Sequence, residues 1–317
     1  MKYNSYSQLE EDFKVLIEQE KYIEAVNLMG KASKLLPIRE FEENYFDILF
    51  SRARFSTNCK LYEQCIKILI SLVEQGYACP LNWERFEPLK NDIRYEELKQ
   101  KNKQLIKRIG RKSKPTYVVH LPEGYTENKE YPLFINLHGD GENIKKHSSY
   151  WKPSTFLKRD FIVVYPQSSQ VAYHNSFGWL ENSLKARSEV KDVFNLVSQQ
   201  YSIDEDFIII GGFSGGAITA LDITLANEFP VKGFIALCPS KIPQSFTKQN
   251  VKYASDKGIK GVFMEGEYNI PVPDEEEMIK VFKEVGLSYQ YYINKKIGHW
   301  YPKDFSQKLE EALKFIL

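Results

Sequence analysis

The sequence predicts an α/β domain with a mostly parallel sheet flanked by helices over residues 111–317, preceded by a smaller all-α region over residues 1–110. Three observations predict this. The first hundred residues carry apolar side chains at helical spacing and no strand pattern. From Thr116 onward, short and nearly continuous apolar runs alternate with longer amphipathic stretches, the pattern of parallel strands covered on both faces. The strongest of those runs, Ile208-Ile209-Ile210, passes directly into a glycine-rich turn and then a helix. A chain of 317 residues, 43% of them hydrophobic, is long enough for two cores.

In the first region Leu9, Phe13, Leu16 and Ile17 mark one helix and Tyr22, Ile23, Val26 and Met29 a second. Phe41, Tyr45, Ile48 and Leu49 follow, then Leu61, Cys65, Ile68, Leu69 and Leu72. Residues three and four apart share a helix face. Pro37, Asn58 and Gly76 are the expected stops between antiparallel helices. The stretches Tyr22–Pro37 and Tyr62–Gln100 resemble the second helix and the degenerate closing segment of a tetratricopeptide array, although the strict Trp-Leu-Gly signature is missing. That resemblance implies a possible protein partner for the helical region. Residues 99–114 hold eight lysines and arginines and no acid, yet no interleaved aromatics, so they read as a solvated helix end and linker rather than a nucleic-acid surface.

In the second region the expected strands are Thr116–Pro122, Tyr131–Gly139, Asp160–Gln167, Phe207–Gly216, Lys232–Ser240, Lys260–Tyr268 and Leu287–Asn294. Helices are expected at 187–201, 217–229 and 305–317. In open α/β sheets, sites form at the carboxyl ends of the strands.

The strand ending at Gly211 leads into Gly212-Phe213-Ser214-Gly215-Gly216 and a helix. Strand, Gly-x-Ser-x-Gly, helix is the context of a nucleophile elbow: strained backbone pushes the serine hydroxyl out, and glycine flanks let strand and helix cross closely. His138-Gly139-Asp140-Gly141 follows an early strand. Of His120, His138, His147, His174 and His299, only His299 lies C-terminal to Ser214, in a loop between the last strand and the last helix. His138 reads as a structural loop histidine.

Residues 115–317 resemble the α/β-hydrolase superfamily, and within it the compact carboxylesterase and predicted-peptidase branch, which includes feruloyl-esterase-like and polyhydroxybutyrate-depolymerase-like enzymes. The segments 117–143, 163–168, 208–221 and 297–302 carry the likeness. The resemblance implies ester hydrolysis of a small or medium substrate with no metal or organic cofactor, Ser214 as nucleophile and His299 as base. It implies an oxyanion hole from the N–H of Gly215 and that of Gly139 or Asp140. The acid is expected in a Gly-x-x-Asp pattern, but Gly266-Glu267-Tyr268-Asn269 places Asn269 in that slot. Asn269 orients His299 as a neutral group, Glu267 or less simply Asp274 substitutes, or the triad has decayed and the domain is a catalytically weak or inert part of a binding scaffold. Asp274, after Pro273, reads as a helix N-cap. A peptidase or acyltransferase using the same Ser and His is a further reading. Tyr165, Pro166, Gln167, Trp179 and Trp300 are expected on loops near the site, with Trp179 and Trp300 the candidates for a substrate pocket.

Composition narrows the partners. A net charge of +1 points to no strongly charged partner such as nucleic acid. No signal-like or membrane-spanning apolar run is present, so no membrane contact and a cytoplasmic location are expected. Cys59, Cys65, Cys79 and Cys238 lack the spacing of metal or redox motifs and read as thiols in a reducing compartment.

Overall fold

The helical spacing near the N-terminus becomes packed helices in the computed structural model, which describes residues 2–317. They are α1 (Tyr6–Glu18), α2 (Tyr22–Gly30), α3 (Ala32–Leu35), α4 (Ile38–Glu43), α5 (Tyr45–Ser56), α6 (Tyr62–Glu74) and α7 (Ile93–Gly110). Leu9 and Phe13 of α1 close on Ala25 and Met29 of α2, and Phe50 and Ala53 of α5 on Leu69 and Leu72 of α6. The stops act where expected. Pro37 precedes α4, and Gly76 follows α6 at a φ of +90° that favours glycine. Asp92 caps α7 by accepting the Arg94 N–H at 2.9 Å. The basic stretch is mostly helix. Leu98, Asn102 and Leu105 form its buried face, and Asn102 satisfies both the N–H and the C=O of Cys79, each at 2.8 Å.

Residues up to Lys112, with Ala172–His174, form one compact unit, and Ser113–Val171 with Asn175–Leu317 form a second. The strands are β1 (Thr116–His120), β2 (Tyr131–Leu137), β3 (Ile162–Gln167), β4 (Gln170–Tyr173), β5 (Ser176–Gly178), β6 (Ile203–Phe213), β7 (Gly233–Leu237), β8 (Lys260–Gly266) and β9 (Ser288–Asn294). The helices among them are α8 (Ile144–Tyr150), α9 (Ser154–Leu157), α10 (Ser183–Gln200), α11 (Gly215–Ala226), α12 (Lys248–Asp256), α13 (Pro273–Val285) and α14 (Phe305–Ile316). Among the described residues one sheet has seven strands in the order β1-β3-β2-β6-β7-β8-β9, and β4 and β5 form a separate ribbon. Only β1 runs antiparallel to its neighbour.

The continuous apolar runs are explained by alternation. Leu133, Ile135, Ile208 and Ile210 face one core with α10 to α13, while Phe134, Ile209 and Val262 face the other with Trp151, Phe156 and α14. Both faces are covered, so neither can be polar. Two helix boundaries differ from the expected ones because of local chemistry. Asn182 accepts the Lys185 N–H at 3.0 Å and starts α10 before Arg187, and Asn227 turns left-handed at φ 53° and ends α11 before Phe229. Because β2, β6, β7, β8 and β9 are parallel, His138, Ser214, Cys238, Gly266 and Lys295 emerge at one edge of the sheet.

Candidate active site

Ser214 sits between β6 and α11 with φ 52° and ψ −117°, the strained geometry expected of an elbow. Strand and helix cross so closely that a Cβ on Gly212 would lie 2.6 Å from the Gly216 carbonyl carbon, and one on Gly216 would lie 2.4 Å from the carbonyl oxygens of Leu137 and His138. The Ser214 N–H is tied to the Leu237 carbonyl at 2.8 Å, which holds the turn against β7. Its hydroxyl stands at the N-terminus of α11, where the first N–H groups have no intrahelical acceptor.

His299 Nε2 lies 2.9 Å from Ser214 Oγ. The imidazole pKa is lowered chiefly by burial, with the Glu265 carboxylate opposing that shift. Three backbone contacts hold its loop: Lys296 N–H to Glu267 Oε2 at 2.9 Å, Tyr268 N–H to the Ile297 carbonyl at 2.9 Å, and Trp300 N–H to the Gly298 carbonyl at 2.8 Å.

The expected oxyanion donors separate. Gly139 N–H already donates to Glu142 Oε2 at 3.2 Å, so of the two expected donors it is the one turned away from an oxyanion. Asp140 is the remaining member of that pair. Its carboxylate accepts the Trp179 N–H at 2.8 Å and presses on the elbow, where a Cβ on Gly215 would sit 2.2 Å from Oδ1. Burial pushes that carboxyl group up. His138 is a structural residue. Its Nδ1 donates to the Gly139 carbonyl at 2.8 Å, its Nε2 accepts from Ser168 N–H, and burial lowers its pKa to about 4.

The acid candidates are placed elsewhere. The Asn269 amide donates to Glu265 Oε1 at 3.1 Å instead of reaching His299, and Glu267 is engaged by Lys296. Asp274 does not cap α13, whose N-cap is Val272; it accepts the Ile242 N–H at 3.1 Å from within the first turn. A carboxylate beside His299 that the motif did not point to is Glu265. It ends the apolar run of β8 and is fully buried. A carboxylate oxygen of Glu265, a ring nitrogen of His299 and the Cys238 sulfur lie within 4.8 Å of one another. The available signal was an acidic residue directly after the apolar run Val262-Phe263-Met264. These three groups could grip a soft cation only with Cys238 as thiolate, and burial and Glu265 both push that thiol's pKa up.

The pocket candidates also separate. Trp179 is fully buried, donating its indole N–H to the His138 carbonyl at 2.8 Å, so it does not line a pocket; its size and polar handle fit a core position equally well. Tyr165 is likewise buried and donates to the Trp151 carbonyl, and Gln167 accepts the Ile144 N–H at 3.2 Å. Trp300 is 40% exposed. It borders a cleft of about 1040 Å³ with Tyr150, Ile297, Lys152, Lys295 and Lys303.

The sequence profile described as Phospholipase/Carboxylesterase matches residues 126–317, more than half of the chain. The chain belongs to the phospholipase/carboxylesterase family of α/β-hydrolases. The match to this family begins beyond α7, so the helical region lies outside it. Among solved structures, an uncharacterized protein from Bacillus cereus ATCC 10987 is similar at 23% identity, covering 98% of this family member and 99% of its own chain with a TM-score of 0.54. The phospholipase/carboxylesterase from Dyadobacter fermentans DSM 18053 has 17% identity over 64% of this chain and 97% of its own, with a TM-score of 0.49. The Bacillus cereus carboxylesterase has 14% identity over 67% and 99%, with a TM-score of 0.49. No curated protein matches the chain. Among the described residues no helix is long and apolar enough to cross a membrane.

Proposed function

We propose that this carboxylesterase-family chain hydrolyses carboxylic esters of small or medium size through an acyl-enzyme on Ser214. The observation that carries the reading is the 2.9 Å approach of His299 Nε2 to Ser214 Oγ at a strained elbow. His299 takes the hydroxyl proton as Oγ bonds the ester carbonyl carbon. The N–H groups of Gly215 and Asp140 receive the developing oxyanion. Collapse expels the alcohol, which takes the proton from His299. Water, deprotonated by the same nitrogen, then attacks the acyl-enzyme, and the acid leaves as Ser214 recovers its proton. The cleft bordered by Trp300 and Ile297 lies beside the His299 loop, and neither Ser214 nor His299 lines it.

The test pairs hydrolysis of p-nitrophenyl esters with labelling by a fluorophosphonate and mapping of the adduct. Labelling at Ser214, together with loss of both readouts in a folded Ser214→Ala variant, is the expected result. Undiminished hydrolysis in that variant removes Ser214 from the mechanism, and an unlabelled, folded wild-type protein turns the reading toward a binding role.

A further inference from the structure

We infer that Glu265 is the positioning residue of His299, standing in for the acid missing at Asn269, and that Asn269 serves to hold Glu265. The inference rests on the acyl transfer proposed above. That reaction turns His299 into an imidazolium when it takes the Ser214 proton. The nitrogen that does not face Ser214 then needs an acceptor, preferably an anion, and needs it beforehand to fix the tautomer that leaves Nε2 free to accept.

Glu265 has the geometry for this. Its Oε1 is saturated by the Gly266 N–H at 2.8 Å and the Asn269 amide at 3.1 Å. Its Oε2 is fully buried and lacks a partner at full hydrogen-bond geometry; the Cys238 thiol beside it is a weak donor that does not replace an N–H. A buried carboxylate oxygen without a donor is expensive, and such orphans need an explanation. The candidate donor is the His299 ring, within 4.8 Å of the carboxylate. That gap is wider than a hydrogen bond, and hydrogen bonds of this kind commonly tighten only when substrate is bound.

The titratable groups beside Glu265 are held neutral. Cys238 beside it has its thiol pKa pushed up by burial and by Glu265, so it is a neutral neighbour. Glu275 is pushed up to about 8 by burial and then by Glu265, and receives the Tyr291 hydroxyl at 3.0 Å. Glu275 is therefore largely the neutral acid near neutral pH and sets no second carboxylate charge beside His299. The distance to His299 is set by backbone. A Cβ on Gly266 would lie 2.1 Å from the Gly298 carbonyl oxygen, so the end of β8 rests directly on the His299 loop. Asn269 in the customary slot is a neutral amide. Since a carboxylate only accepts, the amide nitrogen must face Glu265, which makes Asn269 a clamp rather than an anion.

The experiment compares wild type with Ser214→Ala, Glu265→Gln, Glu265→Asp and Asn269→Ala. Glu265→Gln is expected to lower kcat by about 10³–10⁴-fold, by analogy with an acid-to-amide change in a serine triad, with KM little changed. The acidic limb of kcat/KM should move to lower pH, because the charge that favours the imidazolium is gone; a purely structural role would not move it. Glu265→Asp should retain more activity than Glu265→Gln, and Asn269→Ala should lose less. Proton NMR below the acidic limb, where His299 is the imidazolium that draws the carboxylate in, should show a far-downfield imidazole resonance from His299 in wild type, Ser214→Ala and Asn269→Ala, but not in Glu265→Gln.

Glu265→Gln activity within about threefold of wild type, or an unmoved acidic limb, overturns the assignment. So does an Asn269→Ala loss that exceeds the Glu265→Gln loss or abolishes the NMR resonance. That last readout still decides if Glu265→Gln does not fold, and it needs no turnover. Failure of the acyl-transfer reading looks different: wild type is then inert, or Ser214→Ala stays active.

Discussion

At His299 burial and a carboxylate pull in opposite directions, and burial wins. The net shift is below the ordinary imidazole value of 6.5. As the proposed base, His299 is therefore neutral, and competent to accept a proton, at and somewhat below neutral pH. The acidic limb of kcat/KM for a p-nitrophenyl ester is expected to have its midpoint below 6.5, and a pH–rate profile reads it directly. His138 carries a different prediction. Its folded-state pKa of about 4 lies below that of an unfolded histidine, so the unfolded chain binds the proton first. Stability is complete above about pH 6.5 and falls as the pH drops toward 4, with about 2 kcal/mol lost by pH 5. Urea unfolding at pH 7 and pH 5 should show that loss, and His138→Gln should reduce the difference. Trp300, on the cleft rim, has no part in proton transfer. Trp300→Ala should raise KM for aromatic esters more than it lowers kcat.

The element that does most for the site is the β6–α11 turn. Its glycines are required by distance, since a methyl group at Gly216 would meet two backbone carbonyl oxygens at 2.4 Å, and backbone of the central sheet cannot step aside. Gly216→Ala is expected to destabilise the protein by about 1–3 kcal/mol or more, as overpacking does. It should also abolish fluorophosphonate labelling even where folded protein is recovered; thermal melting and labelling check the two effects separately. The β8 end and the His299 loop are a second such element. Gly266 permits the backbone contact, and the loop's hydrogen bonds run to Glu267 and Tyr268, residues that precede the expected acid slot. Those residues hold the His299 loop.

Over the whole molecule, each unit has its own apolar interior. Leu69 and Leu72 anchor the helical unit, while the sheet unit has a core on either face. Leu69 is fully buried, and Leu69→Ala should destabilise the helical unit by about 2–5 kcal/mol through lost burial and a residual cavity. Scanning calorimetry would show the lowered transition. Ester hydrolysis measured below that transition should be unchanged if the chemistry belongs to the sheet unit alone.

The periodicity of apolar residues determined the class of each region, because helix and strand bury different positions and both sheet faces here are covered. The order of strand, Gly-x-Ser-x-Gly and helix made Ser214 the candidate nucleophile, because an elbow needs contiguous residues, and chain order made His299 the candidate base. Other features depended on contacts between distant segments. Asn269 and Glu265 are four residues apart, yet their relation to His299 exists only because β8 and β9 pair and the two following loops pack backbone to backbone. In sequence Glu265 is one polar letter at the end of an apolar strand. Gly139 and Asp140 were equivalent as donors until Glu142 closed back on one of them. Trp179 and Trp300 are both loop tryptophans, and only packing sent one into the core and left the other at the cleft. Local geometry is written in neighbouring residues, but the partner that a buried polar atom finds is set by the fold that encloses it.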